Sequence, residues 1–278
     1  MGRNSHLCHL LREPLFRSLT PSNPLSKPLG LTTPFQVAFF GLTFVARAGE
    51  KVFHYIFSIA LLVGAITYFA NASDLAWTIV PTTNSLDYGL TRQIFFAKYI
   101  NWVVSFPAVV IALGLLSGVS WATIFYNIFL SWTWVLTYLS AAYTTSNYKW
   151  GFYAFGTIAW VLLAVNTLTE GARGAKRVGV GRDHGLLAGW VNLLWLLYPV
   201  AWGLSDGGNR IGVTSGFVFF GVLDVLMVPV LGFATVFLSR RWDYGRLNIA
   251  FTQYGRVRVG GEFPEKGEAP RGGVTEGV

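Results

Sequence analysis

The sequence predicts an all-α membrane protein, a bundle of seven transmembrane helices, and three observations predict it. Of 278 residues, 53% are hydrophobic and 16% aromatic while only 12% are charged, which is too much apolar surface and too little charge for a soluble domain. The apolar residues gather into seven runs near the length of roughly 20 residues that crosses a hydrocarbon core. The Lys and Arg residues fall in short clusters between those runs, where they orient the chain and meet anionic lipid. A pI near 9.7 therefore reads as membrane topology, and nucleic acid is not an expected partner.

Residues 1–29 hold several Pro and Ser and four basic residues, with no clean apolar core before a small-residue cleavage site. They read as a disordered tail rather than a signal peptide. The membrane domain is expected over residues 30–245. Its first segment, 30–47, is short and has Pro34 inside it. The second to fifth segments, 52–72, 93–117, 121–143 and 149–169, are apolar runs of membrane length. The sixth and seventh, 186–204 and 213–238, contain Pro199 and Pro229, which kink a helix while neighbouring side chains and water satisfy the freed carbonyls. Residues 246–278, rich in Gly, Glu and Pro, read as a second disordered tail.

The links after the first, fifth and seventh segments contain "RAGEK", "EGARGAKRVGVGRDHG" and "SRRWDYGR", whereas the alternate links hold Arg92, Lys149 and Arg210 and little else that is basic. Basic loops stay in the cytoplasm. The N-terminus is therefore expected outside and the C-terminus inside, although the basic N-terminal tail argues the other way. "NAS" at Asn71 then faces outward, either as a glycosylation acceptor or too near the membrane to be used. Cys8 is the only cysteine and the four histidines are scattered, so neither an intrachain disulfide nor a metal site is expected.

Three stretches carry a resemblance: "RQIFFAKYINWVVSFP" (92–107), "LWLLYPVAWGLSDGGN" (194–209) and "FFGVLDVLMVP" (219–229). Together they resemble the microbial rhodopsins, and "YTTSNYKWGFYAFG" (143–156) is similar to their fungal branch. The resemblance covers roughly residues 50–245. Light-responsive members hold retinal as a Schiff base on a lysine four residues after the seventh-helix Asp. From Asp224 that position is Val228, and none of the six lysines lies in the seventh segment. A Schiff base needs an amine, so the resemblance implies no covalently bound retinal.

The other departures run the same way. Where the family's pumps have a proton acceptor and, eleven residues later, a donor, this chain has Asn101 and Ala112. Lys98 stands where an Arg is usual. Asp206 keeps an outer release-group position and Gly216 replaces its companion. A pump needs titratable groups across the bilayer, which argues against pumping. Trp134 and Tyr138, four residues apart on one helical face, align with positions that are Met and Gly beside the retinal ring; they either fill that space or turn outward to lipid. Trp102, Trp195, Tyr198 and Trp202 frame the remnant pocket, as a packed core or as a site for another apolar ligand. Asp224 is either functional, as intramembrane carboxylates are by default, or an inherited structural group, protonated or paired with Lys98 and the hydroxyl of Tyr68 or Tyr198.

The resemblance narrows to fungal opsin-related proteins of the heat-shock type, which lack the retinal lysine. It implies a multi-pass plasma-membrane protein without enzyme activity or photochemistry, associated with stress, self-associating or partnering the proton ATPase or other membrane proteins. A noncovalent sensor of a small apolar ligand and a residual ion channel or transporter are the alternatives. A filled cavity favours the first reading, an open one the second, a continuous polar path past Asp224 the third.

Overall fold

The computed structural model describes residues 38–39, 41–42, 51–85, 90–244 and 247. Both tail expectations and most of the first segment lie outside these residues. Within that segment, residues 38–39 and 41–42 are helical, and Phe39 is buried against His54, Phe57 and Phe233.

Six helices follow, matching the second to seventh predicted segments: α1 (Lys51–Ala72), α2 (Ala97–Ser117), α3 (Trp121–Tyr143), α4 (Lys149–Val178), α5 (Gly181–Gly207) and α6 (Val213–Ser239). Each packs on its neighbour in sequence, α6 returns to α1, and α2 also touches α4 and α5. The six described helices thus close into a ring, with α2 reaching across it to α4 and α5.

Local chemistry sets the helix ends. Gly118 takes a left-handed φ of 64° after α2, and Gly179 takes 85° after α4, the conformation that closes a helix C-terminus at least cost in glycine. Ser120 caps α3 by accepting the Thr123 N–H at 3.2 Å. Five of the six helices are long and apolar enough to span a bilayer by length and composition. The exception, α3, carries many hydroxyl residues, but these fold back on their own helix. Ser131, Thr133, Thr137 and Ser140 donate to carbonyls one turn earlier at 2.7–2.9 Å, so they present no unsatisfied polar group to lipid.

Several boundaries differ from expectation. α4 runs nine residues past 169 and α5 starts at Gly181, because "EGARGAKRV" continues the helix beyond its apolar stretch until Gly179 stops it. α2 begins at Ala97 rather than 93, since residues 91–95 form a strand. β1 (Trp77–Pro81) and β2 (Thr91–Phe95) pair antiparallel, Trp77 opposite Phe95 and Pro81 opposite Thr91. This hairpin was not expected. Asn71 lies in the last turn of α1 with 3% exposure, so the glycosylation reading is corrected: the acceptor amide is packed inside the bundle.

Candidate functional site

The hairpin delivers Arg92 into its own end of the bundle, where three further elements meet it. The final turn of α5, Gly203–Gly207, is π-helical; the widened turn turns Asp206 inward. Lys98, on the first turn of α2, donates to Asp206 Oδ2 at 2.5 Å, and Tyr99 Oη donates to the same oxygen at 2.7 Å. Trp202 Nε1 donates to Tyr99 Oη at 2.8 Å. Arg92 Nε lies 3.6 Å from Asp206 Oδ1, while Nη1 donates to Asn209 Oδ1 at 2.7 Å and to the Ile211 carbonyl at 2.9 Å. Gly216 leaves room for this arrangement: a Cβ there would stand 3.3 Å from Arg92 Nη2 and 3.1 Å from Ser205 Cβ, and both would have to give by a few tenths of an ångström. One buried carboxylate thus holds two buried cations.

Asp224 sits on α6, deeper in the bundle. Its Oδ2 accepts from Tyr68 Oη at 2.6 Å and Asn101 Nδ2 at 3.1 Å; its Oδ1 accepts from Tyr198 Oη at 2.7 Å and Trp102 Nε1 at 2.9 Å. Four neutral donors from α1, α2 and α5 therefore saturate it. This corrects the expected Lys98–Asp224 pair. Lys98 lies one helical turn nearer the surface than Trp102, at the level of Asp206, and every side of Asp224 is already occupied.

Inward of Asp224 comes an aromatic slab. Trp134 and Tyr138 are 1% and 2% exposed, so they face the interior rather than lipid. Trp134 lies against Phe106, Trp195 and Tyr198, and Tyr138 against Tyr153 and Trp202, with ring centroids 4.9–6.4 Å apart. Gly156 provides the room: a Cβ there would stand 2.7 Å from Tyr138 Cδ1. Val228 and Ala112 are both buried, and Val228 lies in a second π-helical stretch, Leu226–Val230, that contains Pro229. Side chains also reach the backbone near both prolines, Trp190 Nε1 donating to the Leu226 carbonyl at 3.1 Å and Tyr153 Oη to the Pro199 carbonyl at 3.2 Å.

Beyond the slab lies a smaller polar group. Asn166 donates to Asn127 at 3.0 Å and Asn192 to Thr167 at 3.1 Å, beside a cavity of about 10 Å³ that His184 also lines, room for about one water. Phe106, Trp134, Trp195 and Met227, all buried, lie between this group and Asp224 and Asp206, and among the described residues no hydrogen bond links the polar clusters. Among the described residues no group of three or more His, Cys, Asp or Glu could hold a metal ion.

Sequence reasoning missed Arg92, Tyr99 and Asn209 as parts of the outer cluster. Arg92 was counted as a loop charge; the signal available was its place in "TRQIF", where outward and inward positions alternate.

Comparison with known proteins supplies the family. Residues 31–240 match the sequence profile of bacteriorhodopsin-like proteins. The chain is 35% identical over 218 residues to the opsin-like protein carO of Fusarium fujikuroi, covering 76% of this chain and 71% of that one. It is 28% identical over 229 residues to the 30 kDa heat shock protein of Saccharomyces cerevisiae, covering 72% and 67%. Among solved structures, the light-driven proton pump LR (Mac) from Leptosphaeria maculans superposes with a TM-score of 0.74 at 28% identity, over 82% of this chain and 98% of that one.

Proposed function

Because the chain belongs to the bacteriorhodopsin-like family as a fungal opsin-related protein, its role turns on what this fold does without a chromophore, and we propose that it is a non-photoactive plasma-membrane protein, a stress-associated regulator or chaperone-like partner of other membrane proteins such as the proton ATPase. The observation that carries this reading is the filled interior, in which Trp134 and Tyr138 pack among Phe106, Trp195, Tyr198 and Trp202. Among the described residues these rings fill the space beside Asp224, which leaves the outer surface as the working part. The slab between the two polar clusters weighs against ion conduction for the same reason. The name of the heat shock relative supports the link to stress.

Crosslinking in stressed cells, followed by purification of the full chain, is expected to recover one or a few plasma-membrane proteins in near-stoichiometric amount. Recovery of the chain alone, or saturable binding of a small apolar molecule by the purified protein, would sink the proposal. The orientation is part of it. Arg173, Lys176, Arg177 and Arg182, at the junction of α4 and α5, and Arg240 and Arg241, after α6, are placed in the cytoplasm. Proteases added to intact cells should spare a C-terminal epitope, and cleavage there would reverse the topology.

A further inference from the structure

We propose that the cleft between α5 and α6, at the end of the bundle that carries Arg240 and Arg241, holds an acyl chain of one anionic glycerophospholipid whose headgroup rests on those arginines. The inference goes beyond the function proposed above and rests on a different face of the molecule. The cleft measures about 410 Å³ and is lined by Leu186, Trp190, Val230, Ala234, Phe237 and Leu238, among others. That volume falls within the ~300–1,000 Å³ of ordinary ligand pockets. Its walls are apolar, as a hydrocarbon chain requires.

The backbone explains why the cleft exists. The π-helical stretch Leu226–Val230 widens the turn of α6 around Pro229, Ala234 puts only a methyl group on the floor, and Trp190 on the wall donates to the Leu226 carbonyl. At the other end Trp242 Nε1 donates to Asp183 at 2.7 Å, tying the end of α6 to the start of α5. Hydrogen bonds thus tie α5 to α6 at both ends of the cleft.

Length and charge select the occupant. The lining on α6 runs from Val230 to Leu238, about 12 Å at 1.5 Å per residue, which is the depth of less than half of a ~30 Å hydrocarbon core. A spanning partner helix would need a groove across both leaflets; one lipid tail needs only this one. Where the cleft reaches the interface, the Arg241 guanidinium stands 5.8 Å over the ring of Phe237, and Arg182 and Arg240 are also exposed there. Among the described residues none of these three takes part in an ion pair. The acids nearby are Asp183, already bonded to Trp242, and Asp243. A phosphate-centred negative headgroup therefore meets uncommitted guanidinium groups directly above an apolar slot.

Native mass spectrometry of the full chain in detergent, titrated with dioleoylphosphatidylserine and with dioleoylphosphatidylcholine, tests this. One phosphatidylserine is expected to be retained at least about ten-fold more tightly than phosphatidylcholine, each arginine contributing roughly five-fold. The surface variant Arg182→Gln/Arg240→Gln/Arg241→Gln should bring the two lipids level. Ala234→Trp, which fills the slot and leaves the charge alone, should weaken both. Equal retention of the two lipids by the wild type, or a serine-lipid preference that survives the triple substitution, would overturn the proposal. So would an Ala234→Trp protein that keeps its lipid but loses a dimer, since the cleft would then belong to a second copy of the chain.

Discussion

Asp206→Asn is expected to be the most damaging single substitution at the hairpin end of the bundle, lowering stability by about 3–5 kcal/mol. Asp206 accepts from Lys98 and Tyr99 and lies 3.6 Å from Arg92 Nε. An amide in its place leaves Arg92 and Lys98 buried beside each other with no counter-charge, and the attraction that offset their desolvation is gone. Lys98→Met should cost less, because Arg92 and Tyr99 still satisfy the carboxylate. The double variant should then be less damaged than the sum of the two, with a coupling of roughly 0.5–3 kcal/mol. For Lys98 and Asp224 the coupling should be clearly smaller, since they share no hydrogen bond. Thermal or denaturant unfolding in detergent measures all of these. An Asp206→Asn protein within about 1 kcal/mol of wild type would mean that the ion cluster does not hold the outer end together.

The same cluster marks the boundary of what was legible in the sequence. Apolar segments and basic links carry a seven-helix reading without further help, because bilayer thickness imposes helix length and the Lys and Arg residues punctuate it. Segments 52–72 and 213–238 therefore fall within a residue of α1 and α6. The hairpin did not announce itself. "WTIVP" and "TRQIF" are five-residue strands, too short to be told from loop beside membrane-length runs, and with them went the burial of Arg92. Lys98–Asp224 was the natural pairing as long as Asp206 was read only as an outer release-group position. Only the π-helical turn at Gly203–Gly207, which depends on tertiary packing rather than on local composition, brings Asp206 under Lys98. The aromatic filling was readable as an alternative, since Trp134 and Tyr138 share a helical face. Which way that face turns depended on Gly156, whose missing side chain is what admits Tyr138.

Added all-trans-retinal should produce no red-shifted visible band in the wild-type protein. Val228 has no amine to condense with the aldehyde, and Trp134 and Tyr138 occupy the interior. Val228→Lys supplies the nucleophile one turn from Asp224 but within a packed apolar layer, where an ammonium is costly and where Asp224 already accepts four hydrogen bonds. Any pigment in this variant should be scarce. Adding Trp134→Met and Tyr138→Gly opens space by removing two aromatic rings, at a stability cost of about 3–5 kcal/mol each as a cavity. Retinal that binds the opened interior should return part of that loss by mass action, so it should raise the melting temperature of the triple variant and leave the wild type unchanged. Illumination should still drive no sustained proton movement, because Asn101 and Ala112 offer no carboxylate to take up the Schiff-base proton or to return it. Absorption spectra, melting curves with and without retinal, and light-driven pH changes in expressing cells separate these outcomes. A stable visible pigment in the wild type would refute the reading of the filled interior, and vigorous pumping by Val228→Lys alone would show that proton transfer through this bundle needs neither of the missing carboxylates.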